Sequence, residues 1–176
     1  MINLTIVFYM YVALFGLIGA MRGWAKELLV VFSVILALTF TTLIERYVPF
    51  VRDAMPGDSS ALFWLRSALL VVLVVFGYQT PHIQRFAPKM KSEKLQDILL
   101  GIFLGAINGY LIFGTLLFYM SEAKFPFGII TPPVAGTPMG QAALDLLEIL
   151  PPRLLGVPAI YFAVVLAFVF VIVVFI

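Results

Sequence analysis

The chain has 176 residues, of which 63% are hydrophobic and 11% charged, with a mean hydropathy of +1.12 and a formal net charge of +2. Soluble domains carry about 45–50% apolar and about 25% charged residues, so a soluble core with a polar coat is excluded, and so is a disordered chain. With no cysteine and one histidine, disulfides, zinc–thiolate or iron–sulfur sites, a cysteine nucleophile and a two-imidazole metal site within one chain are excluded too, and the eleven scattered basic residues form no nucleic-acid stripe.

A membrane helix needs about 20 mainly apolar residues to cross about 30 Å of hydrocarbon. Runs free or nearly free of charge predict five spans, at residues 3–21, 28–44, 62–80, 98–120 and 157–176; the second is the shortest, and the third contains Arg66. No Lys or Arg precedes the first run and another follows almost at once, so it reads as a retained helix rather than a secretory signal. Residues 45–61, with Pro49, Pro56 and Gly57, read as a turn-rich segment. Residues 121–156 hold six prolines. Within them, Thr137-Pro138 predicts an N-cap followed by proline at the first helical position. The helix at about 138–150 sets Asp145 and Glu148 on one face and Leu146, Leu147 and Leu150 on the other, the pattern of a short amphipathic helix along the membrane surface. The predicted fold is all-α and polytopic: a four-helix membrane core at 1–120, a Pro-rich loop with its surface helix at 121–156, and a C-terminal membrane helix at 157–176.

Five features are candidates for a role. The hinge Gly19-Ala20-Met21-Arg22-Gly23-Trp24-Ala25-Lys26-Glu27 places Arg22 and Lys26 within reach of headgroup phosphates, Gly23 at a sharp turn, Trp24 in the interface belt and Glu27 at the dipole end of the second helix. It is read as a phosphate anchor or a partner contact. Gly101, Gly105 and Gly109 stack four apart on one helix face, and Gly16, Gly19 and Gly23 supply small residues in and after the first span; these are read as helix packing, against this chain or another copy. Asn108 is a polar side chain near mid-membrane, expected to find a partner across a helix contact. Arg66 is read as snorkelling to the interface, with an ion pair to Glu45, Asp53 or Asp58 as the alternative. His82 is read as an interfacial polar residue rather than a ligand for pigment or haem.

Two of these segments resemble the colicin V production protein family of small bacterial inner-membrane proteins. Gly19 to Glu27 is similar to that family's first-hinge pattern, and Leu95-Gln96-Asp97 through Gly101, Gly105, Asn108 and Gly109 is similar to its fourth-helix pattern of aspartate followed by spaced glycines. The resemblance covers about residues 3–120. It departs at Asn108, where the family often has arginine, and at residues 121–176, which extend past the four-helix pattern. It implies an inner-membrane protein concerned with peptide-toxin production or export, or with the envelope, and no particular reaction.

No P-loop, HExxH or GxSxG is present, so a non-enzymatic protein is expected. No carboxylate falls within the five predicted spans, which disfavours an ion-coupled transporter. The functional expectation is therefore action through helix contacts in toxin export or envelope maintenance. An accessory subunit of a larger membrane complex is the alternative, and a small channel or transporter a second. Membrane lipids and other membrane subunits are the expected partners, with a homo-oligomer compatible; a bound lipid is compatible, and no other cofactor is expected. Putting the first and third loops in the cytoplasm gives six basic residues inside and four outside, which predicts an external N-terminus and a cytoplasmic C-terminus.

Overall fold

A computed structural model describes residues 4–79, 94–127 and 132–175. The described residues are helical with no strand. The elements are α1 (Leu4–Arg22), α2 (Trp24–Tyr47), α3 (Pro49–Ala54), α4 (Ser60–Gln79), α5 (Lys94–Glu122), α6 (Pro138–Glu148), α7 (Pro151–Leu154) and α8 (Ala159–Phe175). Four helices, α1, α2, α4 and α5, are long and apolar enough to cross a membrane, and α8 is a shorter apolar helix of 17 residues. The polytopic all-α class expected from composition is the one observed.

The helix ends differ from the sequence expectation in one systematic way. The expected second span, 28–44, is a 24-residue helix, and the expected fourth, 98–120, is a 29-residue helix. Both run past the charges that bound the expected spans. Glu27, Glu45 and Glu122 thus lie within helices, just outside the charge-free runs expected to span. The hinge shortens correspondingly: Gly23 alone separates α1 from α2. The segment read as turns contains α3, opened by Pro49.

The two longest helices are the innermost. α1 lies along α5, while α4 and α8 lie against α2. Their shared core includes Val30, Val34 and Leu38 from α2, Leu70 from α4, Leu111 and Ile112 from α5, and Ile160 from α8. Large apolar side chains such as Leu17, Phe76, Phe103 and Phe162 face outward, as lipid-facing positions should.

The glycine strip of α5 meets α1 of the same chain, which answers whose helix it serves. Lipid is as apolar as leucine, so membrane helices associate by close van der Waals contact between small residues. A Cβ added at Gly105 would sit 2.9 Å from the Cα of Gly19, and one at Gly109 would sit 2.9 Å from the Cα of Val12. Gly101 and Gly19 face each other's carbonyls just as closely, whereas Gly16 has ordinary clearance, its nearest neighbour 3.5 Å away. Farther along this antiparallel pair, Tyr11 stacks on Phe113 at 3.6 Å between ring centroids. A second close contact, unmarked by any spacing rule, sets Gly77 of α4 on Ser33 of α2, where an added Cβ would sit 2.8 Å from the serine Cβ.

α6 forms as its cap predicts: the Thr137 hydroxyl accepts from the Gly140 amide at 3.1 Å, with Pro138 at the first turn. It ends at Glu148 rather than 150. Asp145 and Glu148 are exposed, while Leu146 and Leu150 pack with Phe8 and Leu117 of the bundle. Its apolar face is therefore covered by protein. The Tyr110 hydroxyl donates to the Ile149 carbonyl, and Pro151 of α7 seats against Gly114.

Candidate functional site

Buried charge gathers at the two ends of α2. The first cluster is built around the hinge. The first amides of a helix have no partner within it, and Gly23, which precedes α2, has no side chain to offer. Its φ of 83° favours glycine. Asp97, from the first turn of α5, does the capping instead: its Oδ1 accepts the Trp24 amide at 3.1 Å. A Cβ on Gly23 would stand 2.6 Å from Asp97 Oδ2, so the glycine is required by the neighbour as well as by the turn.

One turn into α2, the Glu27 side chain is 0% exposed. It accepts from Arg22 Nη1 at 2.5 Å and from Asn108 Nδ2 at 2.8 Å, and the same Asn108 nitrogen reaches the Glu27 carbonyl at 2.9 Å. Arg22 also donates to the Tyr78 carbonyl at 3.2 Å and lies 4.2 Å from the centre of the Tyr78 ring. Two residues, Arg22 of α1 and Asn108 of α5, thus converge on one carboxylate of α2, and Arg22 carries the contact on to α4.

The second cluster surrounds Arg66 of α4. Its Nε and Nη2 grip both oxygens of Glu45 at 2.5 and 2.8 Å, and its Nη1 donates to Glu122 Oε2 at 2.7 Å. The guanidinium lies 5.3 Å from the centre of the Tyr119 ring. Arginine presents five donors in a planar fork, and here the fork closes on one carboxylate from α2 and one from α5. Beyond the helix ends, Lys124 pairs with Asp58 at 2.7 Å in solvent. That contact holds the Asp58 carboxyl below its usual range and the Lys124 ammonium above its own.

The structure brings together more of the sequence candidates than their separate readings implied. Arg22, Gly23, Trp24, Glu27 and Asn108 form one site with Asp97. Arg22 is turned toward Glu27 and Tyr78. Lys26, half-buried, makes no ion pair among the described residues. Arg66 stands apart in the second cluster, paired with Glu45 as the alternative reading had it, and also with Glu122 in place of Asp53 or Asp58. Gly16, Gly19, Gly101, Gly105 and Gly109 bring α1 and α5 together. His82 and the basic residues Arg85, Lys89 and Lys91 lie outside the described residues. Sequence reasoning does not single out Asp97, Tyr78 or Glu122 as site residues. Asp97 stands in its motif as a bare aspartate, and nothing local marks a residue that caps a helix 73 positions away.

Chemically, both clusters are charge pairs whose donors and acceptors are largely engaged with one another. Among the described residues no three metal-ligating side chains meet. What the arrangement does is fasten helices: α1 to α2, α4 and α5 at one end of the bundle, and α2 to α4 and α5 at the other. No family model matches the chain, and neither a curated protein nor a solved structure matches it.

Proposed function

We propose that this is a non-enzymatic protein of the bacterial inner membrane, akin to the colicin V production family, acting in peptide-toxin export or envelope maintenance through contacts of its helices. The observation that supports the reading is the meeting of its two motif segments. The hinge 19–27 and the stretch 95–109 touch through Asp97–Trp24, Asn108–Glu27 and the glycine strip. Residues that resemble one family in two distant stretches are the residues that hold one site. In this reading the first and third loops face the cytoplasm, following their six basic residues.

The test is deletion of the gene in its host, with dye uptake and secretion of a peptide toxin as readouts. Loss of either, restored by the wild-type chain and not by an abundant, membrane-inserted Asn108→Leu variant, is the expected result. An unchanged envelope and unchanged secretion would refute it. A second reading, a small transporter, is favoured by the buried Glu27 carboxylate, since intramembrane ionisable groups commonly mark transport paths. Solute flux in liposomes holding the purified chain alone would favour that reading.

A further inference from the structure

The bundle is built as two closely fitted pairs. α1 and α5 meet at backbone distance, Gly19 against Gly101 and Gly105, and α2 and α4 meet as closely at Gly77 and Ser33. The contacts of the two charge clusters, by contrast, pass between the pairs, except Arg66–Glu45, which stays inside the second. We propose that the pairs part along the α2–α5 seam from the Arg66 end, as a clamp whose hinge is the Gly23 end and whose latch is Arg66–Glu122.

Charge decides which end opens. At the hinge end, Arg22 and Asn108 hold a carboxylate that is 0% exposed, Asp97 caps Trp24, and Gly23 alone joins α1 to α2. Parting the helices there strands a buried charge, which is strongly unfavourable. At the other end, Arg66 keeps both oxygens of Glu45 from its own pair, and Glu122, 41% exposed, turns to water. The remaining crossings are the Tyr119 ring beside Arg66 and the Lys124–Asp58 pair, which is exposed and therefore weak. A cavity of about 120 Å³, walled by Thr41 and Glu45 of α2, Arg66 of α4, and Phe118 and Glu122 of α5, already stands in the seam at this end. α6 and α7 pack on the first pair and α8 on α2, so residues 155–158 link the two sides and limit how far they part.

The inside of the seam points the same way. Asn108, Thr115 and Glu122 recur at seven-residue intervals, so they share the face of α5 that meets α2 and α4. Ser33, Thr39 and Thr42 of α2 each donate to the carbonyl four residues back, at 2.8–2.9 Å. Thr115, 0% exposed, does not: its hydroxyl and the Asn108 Oδ1 have no hydrogen-bond partner among the described residues. An unpartnered buried polar group is costly. Water entering an opened seam would relieve that cost, so the closed form is held less firmly than its packing alone implies.

The chain has no cysteine, so Thr115→Cys supplies a single thiol in the seam. The full chain in liposomes is treated with excess N-ethylmaleimide, and the labelling rate reads the population of the open form. Expected is slow labelling of Thr115→Cys, made roughly fivefold faster by Glu122→Gln. Salt at about 1 M screens the exposed side of the latch and should speed Thr115→Cys labelling without any latch variant, so the test survives if Glu122→Gln does not fold. Ser33→Cys, packed on Gly77 within one pair, should stay slow throughout. A Thr115→Cys rate indifferent to both Glu122→Gln and salt would overturn the clamp. So would equal acceleration of Ser33→Cys, which would mean that the bundle unfolds rather than opens.

Discussion

Arg22→Met and Glu27→Gln break the same ion pair, and the structure says that they should not cost the same. In Arg22→Met the carboxylate stays behind, 0% exposed, with Asn108 its only remaining side-chain donor. Stranding a buried charge in this way costs about 3–5 kcal/mol. In Glu27→Gln the group left behind is Arg22, 20% exposed, still donating to the Tyr78 carbonyl and lying on the Tyr78 ring. The loss there is closer to that of one charge-assisted hydrogen bond, about 1.5–3 kcal/mol. The double variant leaves neither charge and should cost less than the sum of the two, by at least about 1.5 kcal/mol, because the partners touch. The assay is reversible unfolding in mixed micelles of rising dodecyl sulfate content, followed by the fluorescence of Trp24 and Trp64. If Glu27→Gln proved as damaging as Arg22→Met, or if the two effects simply added, Glu27 would not be the desolvated partner described, and the reasoning would fail.

Gly105→Leu drives a side chain into the Gly19 backbone and should cost at least the roughly 1–3 kcal/mol of ordinary overpacking, while Leu104→Ile should cost far less; equal, small effects in the same unfolding assay would mean that α1 does not pack there. Arg66→Lys replaces a fork that holds Glu45 at two points and Glu122 at a third with a single ammonium, so it should lower detergent stability nearly as much as Arg66→Met, and full rescue by lysine would refute the fork geometry. Removing residues 157–176 takes Ile160 from the shared core and Phe168 from its contact with Phe32; protease protection should still report an inserted four-helix core, less stable than the full chain, and failure to insert would make α8 part of that core. The Asp58–Lys124 pair stabilises the fold above the ordinary carboxylate range and below the ordinary lysine range. Its contribution is lost as pH falls through the depressed Asp58 pKa or rises through the elevated Lys124 pKa. Because both groups are exposed, Asp58→Asn should leave the midpoint at neutral pH nearly unchanged, and a large shift would mean that the pair is buried.

The helices are legible in the sequence because twenty apolar residues in a row have few other uses. Their ends are not, and the reason is specific. Ending a span at its first charge assumes that charges meet water, but the Glu27 carboxylate accepts from Asn108 Nδ2 across 81 positions of sequence, and Arg66 reaches Glu122 across 56. Pairing at that distance leaves no trace in a local window. The glycine strip is visible in α5 by its spacing, whereas its partner is not, since small residues serve contacts within a chain and between chains alike. Thr137-Pro138 is readable to the residue because a cap is local, one side chain meeting one amide three positions on. Asp97 does the same chemistry for α2 from another helix, and only the fold brings it there.

The spacing of the two charge clusters makes α2 a ruler for the bilayer. Glu27 and Glu45 are 18 positions apart, about 27 Å at 1.5 Å per residue. Everything on α2 between them is uncharged. A hydrocarbon layer of about that depth leaves both clusters at its borders, where their open edges meet headgroups. A thicker layer would drag one of them into acyl chains or force the bundle to tilt, at a cost of fractions of a kcal/mol for each ångström of mismatch. Short-chain lipids should therefore gather around this protein, and the chain itself should favour thinner regions of the membrane that holds it.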